Sequence, residues 1–199
     1  MNSKSFDIRQ AIINSGKEEF LEKGFERASL RNICKKANVT TGAFYSYFDK
    51  KEDLFAIIVQ PTIDAFNSMY DSVIEKELAD IATSVENELH SIEFISAHKD
   101  VFRLLFDRSK GTAYEDFKSE LIEKKFAVSY QDFFDKYAEK DVDPLLVKII
   151  VKMKFEEYME LVYGGYEMER IRKMTNLLSV FSESGFKSLI ETVKASDDL

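Results

Sequence analysis

Apolar residues recur at intervals of three and four along nearly the whole chain, which is the spacing of one face of an α-helix. The first such series includes Ile8, Ile12 and Phe20 and stops at Gly24, a residue that favours the end of a helix. Only seven glycines and two prolines occur in 199 residues, so long helices meet few interruptions. No segment alternates as a half-buried β-strand does. The pattern predicts an all-α protein.

Two short helices joined by a tight turn are predicted next. Ser29 suits the N-cap of the second helix and Thr40 that of the third, because their hydroxyls can accept a hydrogen bond from a free backbone N–H. Asn38 lies between them and tolerates the left-handed conformation that such a turn often needs. Phe44 and Phe48, one turn apart, are predicted to face the core. Three helices in the N-terminal segment, with this turn, have the proportions of a helix-turn-helix.

The rest of the chain is predicted to form longer helices. A fourth helix starts near Lys51, and Pro61 predicts a kink or break in it, since proline lacks the backbone donor and clashes with the preceding turn. Thr112 and Glu115 have the spacing of a capping box that opens a further helix. Asp143, which precedes a proline, marks the start of the penultimate helix.

The net charge of −8 is distributed unevenly. Residues 1–50 hold nine Lys and Arg against six Asp and Glu, whereas residues 51–199 hold 19 against 30. We therefore predict a DNA-binding domain over residues 1–50 and a larger helical domain over residues 51–199, with DNA contact confined to the basic end. The chain has a lone cysteine, Cys34, and no apolar segment long enough to span a bilayer. It is expected in the reducing cytoplasm, without membrane contact.

The third helix carries side chains suited to DNA. Its first residues are small, so its N-terminal end can approach base edges: Thr41, Gly42 and Ala43. Residues that can hydrogen-bond to flanking phosphates follow, at Tyr45, Tyr47 and Lys51. The alternative is that the two tyrosines are core aromatics, although two phenylalanines already occupy the inner face of this helix.

Over roughly residues 8 to 58, the sequence resembles the TetR-type family of bacterial one-component transcriptional regulators. The resemblance is carried by Phe20, Gly24, Phe25, Arg31, Ile33, Ala37, Val39, Gly42, Phe44, Tyr45, Tyr47, Phe48, Lys51, Asp53 and Leu54. The sequence departs from the family at Asn38 and Cys34, where Gly and Ala are usual, and at Ser15 and Gly16, where an Ala pair is usual. Gly16 is expected to loosen the first helix by about 1 kcal/mol relative to Ala. Chemistry and resemblance together predict DNA contacts at Ser29, Arg31, Thr40, Thr41, Gly42, Ala43, Tyr45, Ser46, Tyr47 and Lys51.

Residues 59–199 match that family only in outline, and the resemblance implies a helical ligand-binding and dimerisation domain. The last two helices each carry a broad apolar stripe, which can form a four-helix bundle with a symmetry mate. The alternative is a helix pair within one chain. The predicted homodimer interface comprises Ile171, Met174, Leu178, Phe181 and Gly185.

Aromatic residues are frequent in the same domain and either line a cavity or fill the core. A cavity among them should accept a small apolar or aromatic effector. The candidate ligand-binding residues are Phe102, Phe106, Tyr130, Phe133, Phe134, Tyr137, Phe155 and Tyr158.

The resemblance implies a repressor that an effector releases from a near-palindromic, double-stranded operator. A helical protein-interaction adaptor is the alternative, but it gives no role to Thr41 and Tyr45. An enzyme is disfavoured because the sequence has no Gly-rich phosphate loop and no metal-ligand spacing. His90 and His98 lie two helical turns apart, too far to share a metal without outside carboxylates. Neither a cofactor nor a metal is expected.

Overall fold

The structure, a computed structural model, describes residues 3–80 and 84–196, and every regular element in these ranges is helical. The α-helices are α1 (Ser3–Lys23), α2 (Leu30–Lys36), α3 (Thr41–Tyr45), α4 (Lys51–Ala79), α5 (Ser84–Ala97), α6 (Lys99–Asp107), α7 (Phe117–Glu120), α8 (Ala127–Ala138), α9 (Pro144–Tyr163) and α10 (Met168–Ala195). A π-helical segment, Leu121–Phe126, joins α7 to α8. The predicted all-α fold is confirmed.

The chain divides into two units. Unit 1 comprises residues 1–65 and 100–118, and unit 2 comprises residues 66–99 and 119–199. This division differs from the predicted one at residue 50, because the first half of α4 and most of α6 supply apolar side chains to the core of unit 1. Sequence periodicity identifies such helices but does not show which core they join.

Several helix ends lie where local sequence predicts them. Gly24 has a φ of +75° and Asn38 a φ of +55°, both in the left-handed region. The Thr40 hydroxyl accepts the Ala43 N–H at 3.1 Å, and the Asp143 carboxylate accepts an N–H of the first turn of α9 at 2.8 Å. These contacts satisfy backbone donors that a helix start leaves free.

Three local predictions differ from the structure. Of the kink or break predicted at Pro61, the break does not occur, because α4 continues through this residue and buried side chains on either side of it pack into the core of unit 1. Thr112 and Glu115 accept the N–H groups of Tyr114 and Gly111, but they close turns that precede α7 rather than opening a helix. Ser29 occupies the N-cap position of α2 without a side-chain hydrogen bond to the helix. Tertiary contacts override local preference at these points.

The core of unit 1 depends on a close approach between α1 and α4. Phe20, Phe25 and Phe55 pack with ring centroids 5.3 to 5.7 Å apart. One turn before Phe20, a Cβ at Gly16 would lie 2.6 Å from Cδ2 of the fully buried Leu54. Close packing against Leu54 therefore explains why a glycine occupies this position. Helix propensity alone predicts only that the glycine weakens α1.

We expect Gly16→Ala to destabilise the protein by about 1 to 3 kcal/mol, because the added methyl overpacks the contact with Leu54. Urea unfolding measures this change. Glu18→Ala, on the exposed face of the same helix, is the control and should change stability by less than about 0.5 kcal/mol. A gain in stability from Gly16→Ala would show that helix propensity outweighs packing here.

Candidate functional site

A buried carboxylate holds α2 against α1. The side chain of Glu19 is 2% exposed and pairs with Lys36 at 3.0 Å, near the end of α2. It also accepts the Ser29 N–H at 3.3 Å and the Asn32 amide at 3.2 Å, near the start of α2. Burial alone would raise the pKa of Glu19, but the hydrogen bonds from Lys36, Asn32 and Ser29 hold it below its ordinary value. The carboxylate thus stays charged and fixes both ends of α2.

The turn after α2 presents α3 to solvent. Val39 N–H donates to the Cys34 carbonyl at 2.9 Å, and the left-handed Asn38 reverses the chain. Phe44 is fully buried, while Tyr45 beside it is 55% exposed. Several of the predicted DNA-contacting residues are exposed on this part of unit 1: Arg31, Thr40, Thr41, Gly42, Tyr45 and Ser46. Each of these side chains is therefore accessible to a binding partner on α2 or on and around α3.

The other predicted contacts are less accessible. Ser29, Ala43 and Tyr47 are half-buried, and Tyr47 packs partly against the core of unit 1. The Lys51 ammonium donates to the carbonyls of Phe25 at 2.7 Å and Ala28 at 3.1 Å. It also lies 4.3 Å from the centroid of the Phe25 ring. Lys51 therefore connects the start of α4 to the turn before α2, a structural role that its predicted phosphate contact does not include.

Unit 2 contains a cavity of about 90 Å³. Five helices contribute to its wall: α4, α5, α8, α9 and α10. Of the predicted ligand-binding residues, Tyr130, Phe133 and Tyr158 line it. Phe134 and Phe155 are buried outside its lining, and the Tyr137 hydroxyl donates to the Glu77 carbonyl at 2.9 Å. The remaining two predicted residues, Phe102 and Phe106, belong to unit 1, and their rings contact each other at a tilt of 45°.

Acidic groups set the chemistry of this cavity. Glu77 and Glu88 line it, and the buried Lys154 pairs with Glu88 and with Glu157, the latter at 2.8 Å. Ser179 also donates to Glu88. Burial raises the pKa of Glu77 to about 7 and also raises that of Glu157. The wall is therefore partly polar and acidic, not only apolar and aromatic as predicted.

Two rows of apolar side chains lie exposed on unit 2, and together they are called the α9–α10 surface. The first row is Leu145, Ile149 and Met153 on α9, and the second is Leu177, Val180 and Phe181 on α10. Lys154, next to Met153, donates to Ser182, next to Phe181, at 3.2 Å, so the two helices approach each other where the two rows end.

The predicted dimer residues are placed unequally relative to this surface. Phe181 is 73% exposed and Gly185 is exposed, whereas Met174 and Leu178 are half-buried. Ile171 is buried in its own subunit, so its side chain is not available to a partner. The exposed face of α10 is turned slightly from the predicted one.

The two histidines lie in different surroundings. The His98 ring stacks on Phe94 and lies 2.9 Å from its carbonyl oxygen, and His90 is exposed. Within residues 3–80 and 84–196, no cluster of three or more His, Cys, Asp or Glu side chains could hold a metal ion. In the same part of the chain, no helix is both long and apolar enough to cross a bilayer.

Residues 12–58 match the family model of bacterial regulatory proteins of the tetR family. Residues 12–58 of this chain are therefore similar to the N-terminal domain of TetR-family regulators. The match covers α2, α3 and the segments that pack against them in unit 1, which include Glu19 and Lys51. It confirms the resemblance and disfavours the adaptor alternative.

Sequence similarity to known regulators extends beyond residues 12–58, which are called the TetR-type domain below. The uncharacterized HTH-type transcriptional regulator YdgC of Bacillus subtilis (strain 168) is 26% identical over 110 residues, which are 53% of this chain and 56% of that protein. The chain thus spans about half the length of the curated relatives it matches.

Solved structures share the fold over most of the chain. A transcriptional regulator from Aquifex aeolicus VF5 has a TM-score of 0.58 at 23% identity, covering 85% of this chain and 95% of that one. AibR, in complex with isovaleryl coenzyme A and operator DNA, has a TM-score of 0.53 at 18% identity, covering 85% and 97%. The TetR-type domain is therefore followed by a helical C-terminal region of the same fold as these regulators.

The residues that pair across helices, and the buried polar groups of the cavity wall, were not predicted from the sequence. Glu19, Tyr70, Glu77 and Glu88 were not singled out, and neither was Lys154. One signal was available, because Lys154 falls on the apolar stripe of α9 between Val151 and Phe155 and so had to be buried. A buried lysine requires carboxylate partners. Glu157 lies three residues after Lys154, a spacing that allows an ion pair on one helix, whereas the pairing with Glu88 on α5 could not be deduced from spacing.

We expect Glu77→Gln to stabilise the protein above neutral pH. Because the folded pKa of about 7 exceeds the ordinary value of glutamic acid, the folded state binds the proton more tightly than the unfolded state. Wild-type stability therefore falls as pH rises between these two values. Glutamine does not ionise, so the advantage of the variant should grow by up to about 3 kcal/mol between about pH 4.5 and pH 8.

Urea unfolding at both pH values measures this effect. Glu75→Gln, at an exposed position of the same helix, is the matched control and should follow the wild type at both. A Glu77→Gln advantage that is equal at the two pH values would contradict the raised pKa of Glu77.

Proposed function

We propose that the protein is a transcriptional regulator that represses by binding a near-palindromic operator as a symmetric dimer. The observation that carries this proposal is the exposed face of α3, which lies inside the segment matching the TetR family. Its outward residues are small or hydrogen-bonding, and its large apolar residue, Phe44, points inward. Such a face can enter a major groove.

The exposed residues divide into two kinds of DNA contact. Thr41 and Gly42 at the start of α3 are suited to base edges, since neither side chain keeps the helix away from them. Arg31 and Tyr45 have longer side chains that can reach phosphates beside the groove. Phosphate contacts position the protein on DNA, and base contacts choose the sequence.

We expect Arg31→Ala and Thr41→Val to affect binding differently. Arg31→Ala should weaken binding to all sequences and reduce the slope of log affinity against log salt by about one unit. Thr41→Val keeps the shape but removes a hydroxyl, so it should change the preferred sequence with little change in slope. Selection from a random duplex library, followed by titrations at several salt concentrations, measures both effects.

Lys173→Ala removes the same charge from an exposed position of unit 2 and is the control for Arg31. Its salt slope should equal that of the wild type. Lys51 is a poor test residue, because its ammonium also holds the backbone carbonyls of Phe25 and Ala28. If Arg31→Ala and Thr41→Val change sequence preference equally, the division into phosphate and base contacts is wrong.

Dimerisation is proposed through the α9–α10 surface. Two adjacent helices with exposed apolar rows can pack on the same rows of a second copy and form a four-helix bundle. Large exposed apolar patches of this kind mark interaction sites. A symmetric dimer would then present two copies of α3 to the two halves of a near-palindromic operator.

We expect the double variant Met153→Glu, Phe181→Glu to be a folded monomer of 23.0 kDa that has lost most of its operator affinity. Two charges would be buried in the bundle without partners, which opposes association. Light scattering gives the mass. Val128→Glu is the matched control, since Val128 is 52% exposed on α8 and lies outside the α9–α10 surface. A wild type that is monomeric at micromolar concentration would refute the dimer.

We also propose that a small molecule bound in the cavity of unit 2 lowers operator affinity. AibR was solved with both isovaleryl coenzyme A and operator DNA, so a protein of this fold can bind both kinds of partner. Helix α4 carries Lys51 of unit 1 and also Tyr70 and Glu77, which line the cavity of unit 2. One continuous helix therefore joins the two sites along the chain, and a ligand with unequal affinity for two states can shift their populations.

A further inference from the structure

The cavity of unit 2 holds more acidic than basic groups. Glu88 and Glu157 pair with one ammonium, that of Lys154, and Glu77 is close enough to feel its charge. Lys154 already donates to Ser182 in addition to its two carboxylate partners. A further carboxylate in the wall, Glu183, pairs with Lys187 on its own helix. The basic groups are thus engaged, and negative charge is left over.

Of these carboxylates, Glu77 has its negative charge least balanced by hydrogen bonds and by neighbouring positive charge. Among the residues that the structure describes, one donor meets it, the Asn87 amide at 3.5 Å. That distance is at the limit of a hydrogen bond. Its neighbours Glu88 and Glu157 instead share the Lys154 ammonium.

A buried hydroxyl that lacks a hydrogen-bond partner lines the same cavity. Tyr70 is 92% buried, since 8% of its surface remains exposed. Ser129 lies beside its hydroxyl, but the pair does not reach hydrogen-bond geometry, and the hydroxyl is left without a partner. Buried polar groups are normally satisfied by protein, water or ligand. A ligand that donates to this oxygen would supply the missing bond.

The remaining wall suits a cation with an apolar part. Tyr130, Phe133 and Tyr158 supply aromatic surface, and aromatic faces attract ammonium groups. Burial raises the pKa of Tyr130 and Tyr158 well above the ordinary value of tyrosine, so both rings remain neutral. A ligand with a carboxylate would instead be repelled by Glu77, because the ammonium groups described around the cavity are already paired with other carboxylates.

We propose that the effector of unit 2 is a small organic cation, a protonated primary amine on a short apolar group, whose ammonium is bound by Glu77 and Tyr70. This assignment rests on the proposed effector function of the cavity. The volume of about 90 Å³ is below the roughly 150 Å³ of a cavity that accepts benzene. A chain of about four carbons is therefore a suitable apolar group.

The test uses three probes that share a four-carbon chain and differ in charge: n-butylammonium, n-butanol and butyrate. Each is titrated into the full-length, isotopically labelled protein at about pH 8 and constant ionic strength, and nuclear magnetic resonance follows the amide shifts. At that pH Glu77 is mostly ionised. We expect n-butylammonium to bind at least tenfold more tightly than the other two, with the largest shifts at residues lining the cavity.

Glu77→Gln preserves the shape of the side chain and removes its charge. It should abolish the preference for n-butylammonium while leaving n-butanol binding unchanged. Glu75→Gln, the exposed control on the same helix, should keep the preference. Thermal unfolding of both variants confirms that they are folded.

Other results would overturn the proposal. Equal affinity for the three probes, tighter binding of butyrate, or a cation preference that persists in Glu77→Gln would each do so, as would shifts confined to residues outside the cavity. Operator binding, measured separately without probe, tests the regulatory function alone. DNA binding without amine selectivity would refute the cation assignment and leave the proposed regulator standing.

Discussion

The position of α2 and α3, the helices proposed to contact DNA, depends on one buried charge. An ionised carboxylate removed from water is strongly destabilising unless hydrogen bonds and a counter-charge replace its hydration. Glu19 meets that requirement with Lys36, Asn32 and the Ser29 N–H, which lie at opposite ends of α2. Because each partner is needed, α2 has one favourable position on α1. The left-handed Asn38 then determines where α3 begins.

The local parts of this arrangement could be predicted from the sequence. A glycine or asparagine with positive φ, an N-cap hydroxyl at Thr40 and an acid before a proline depend only on neighbours within a few residues. The inward face of α3 followed from the spacing of two phenylalanines. The exposed residues of α3 that we propose as DNA contacts were chosen by side-chain chemistry and by the resemblance, and the family match spans them.

Contacts between distant parts of the chain could not be predicted. Lys51 was assigned to phosphate because its residue type and place beside α3 allow it, yet its ammonium donates to carbonyls 23 and 26 residues earlier. Phe102 and Phe106 were grouped with the aromatics of the C-terminal domain, although they belong to unit 1. Composition and spacing do not show which core a helix joins. Glu19 and Glu77 illustrate the same limit, since both are buried acids and only the fold shows that one is well compensated and the other is not.

The π-helical segment Leu121–Phe126 precedes the cavity wall formed by α8. A π-helix contains an extra residue compared with an α-helical turn, and each helical residue turns the chain by about 100°. Ser129, Tyr130 and Phe133 follow that segment and face the cavity. Deleting one residue from the segment would turn a different face of α8 toward the cavity without altering the number of helices. Related chains that differ in length by a single residue here would therefore line the proposed effector cavity with different side chains on an unchanged scaffold.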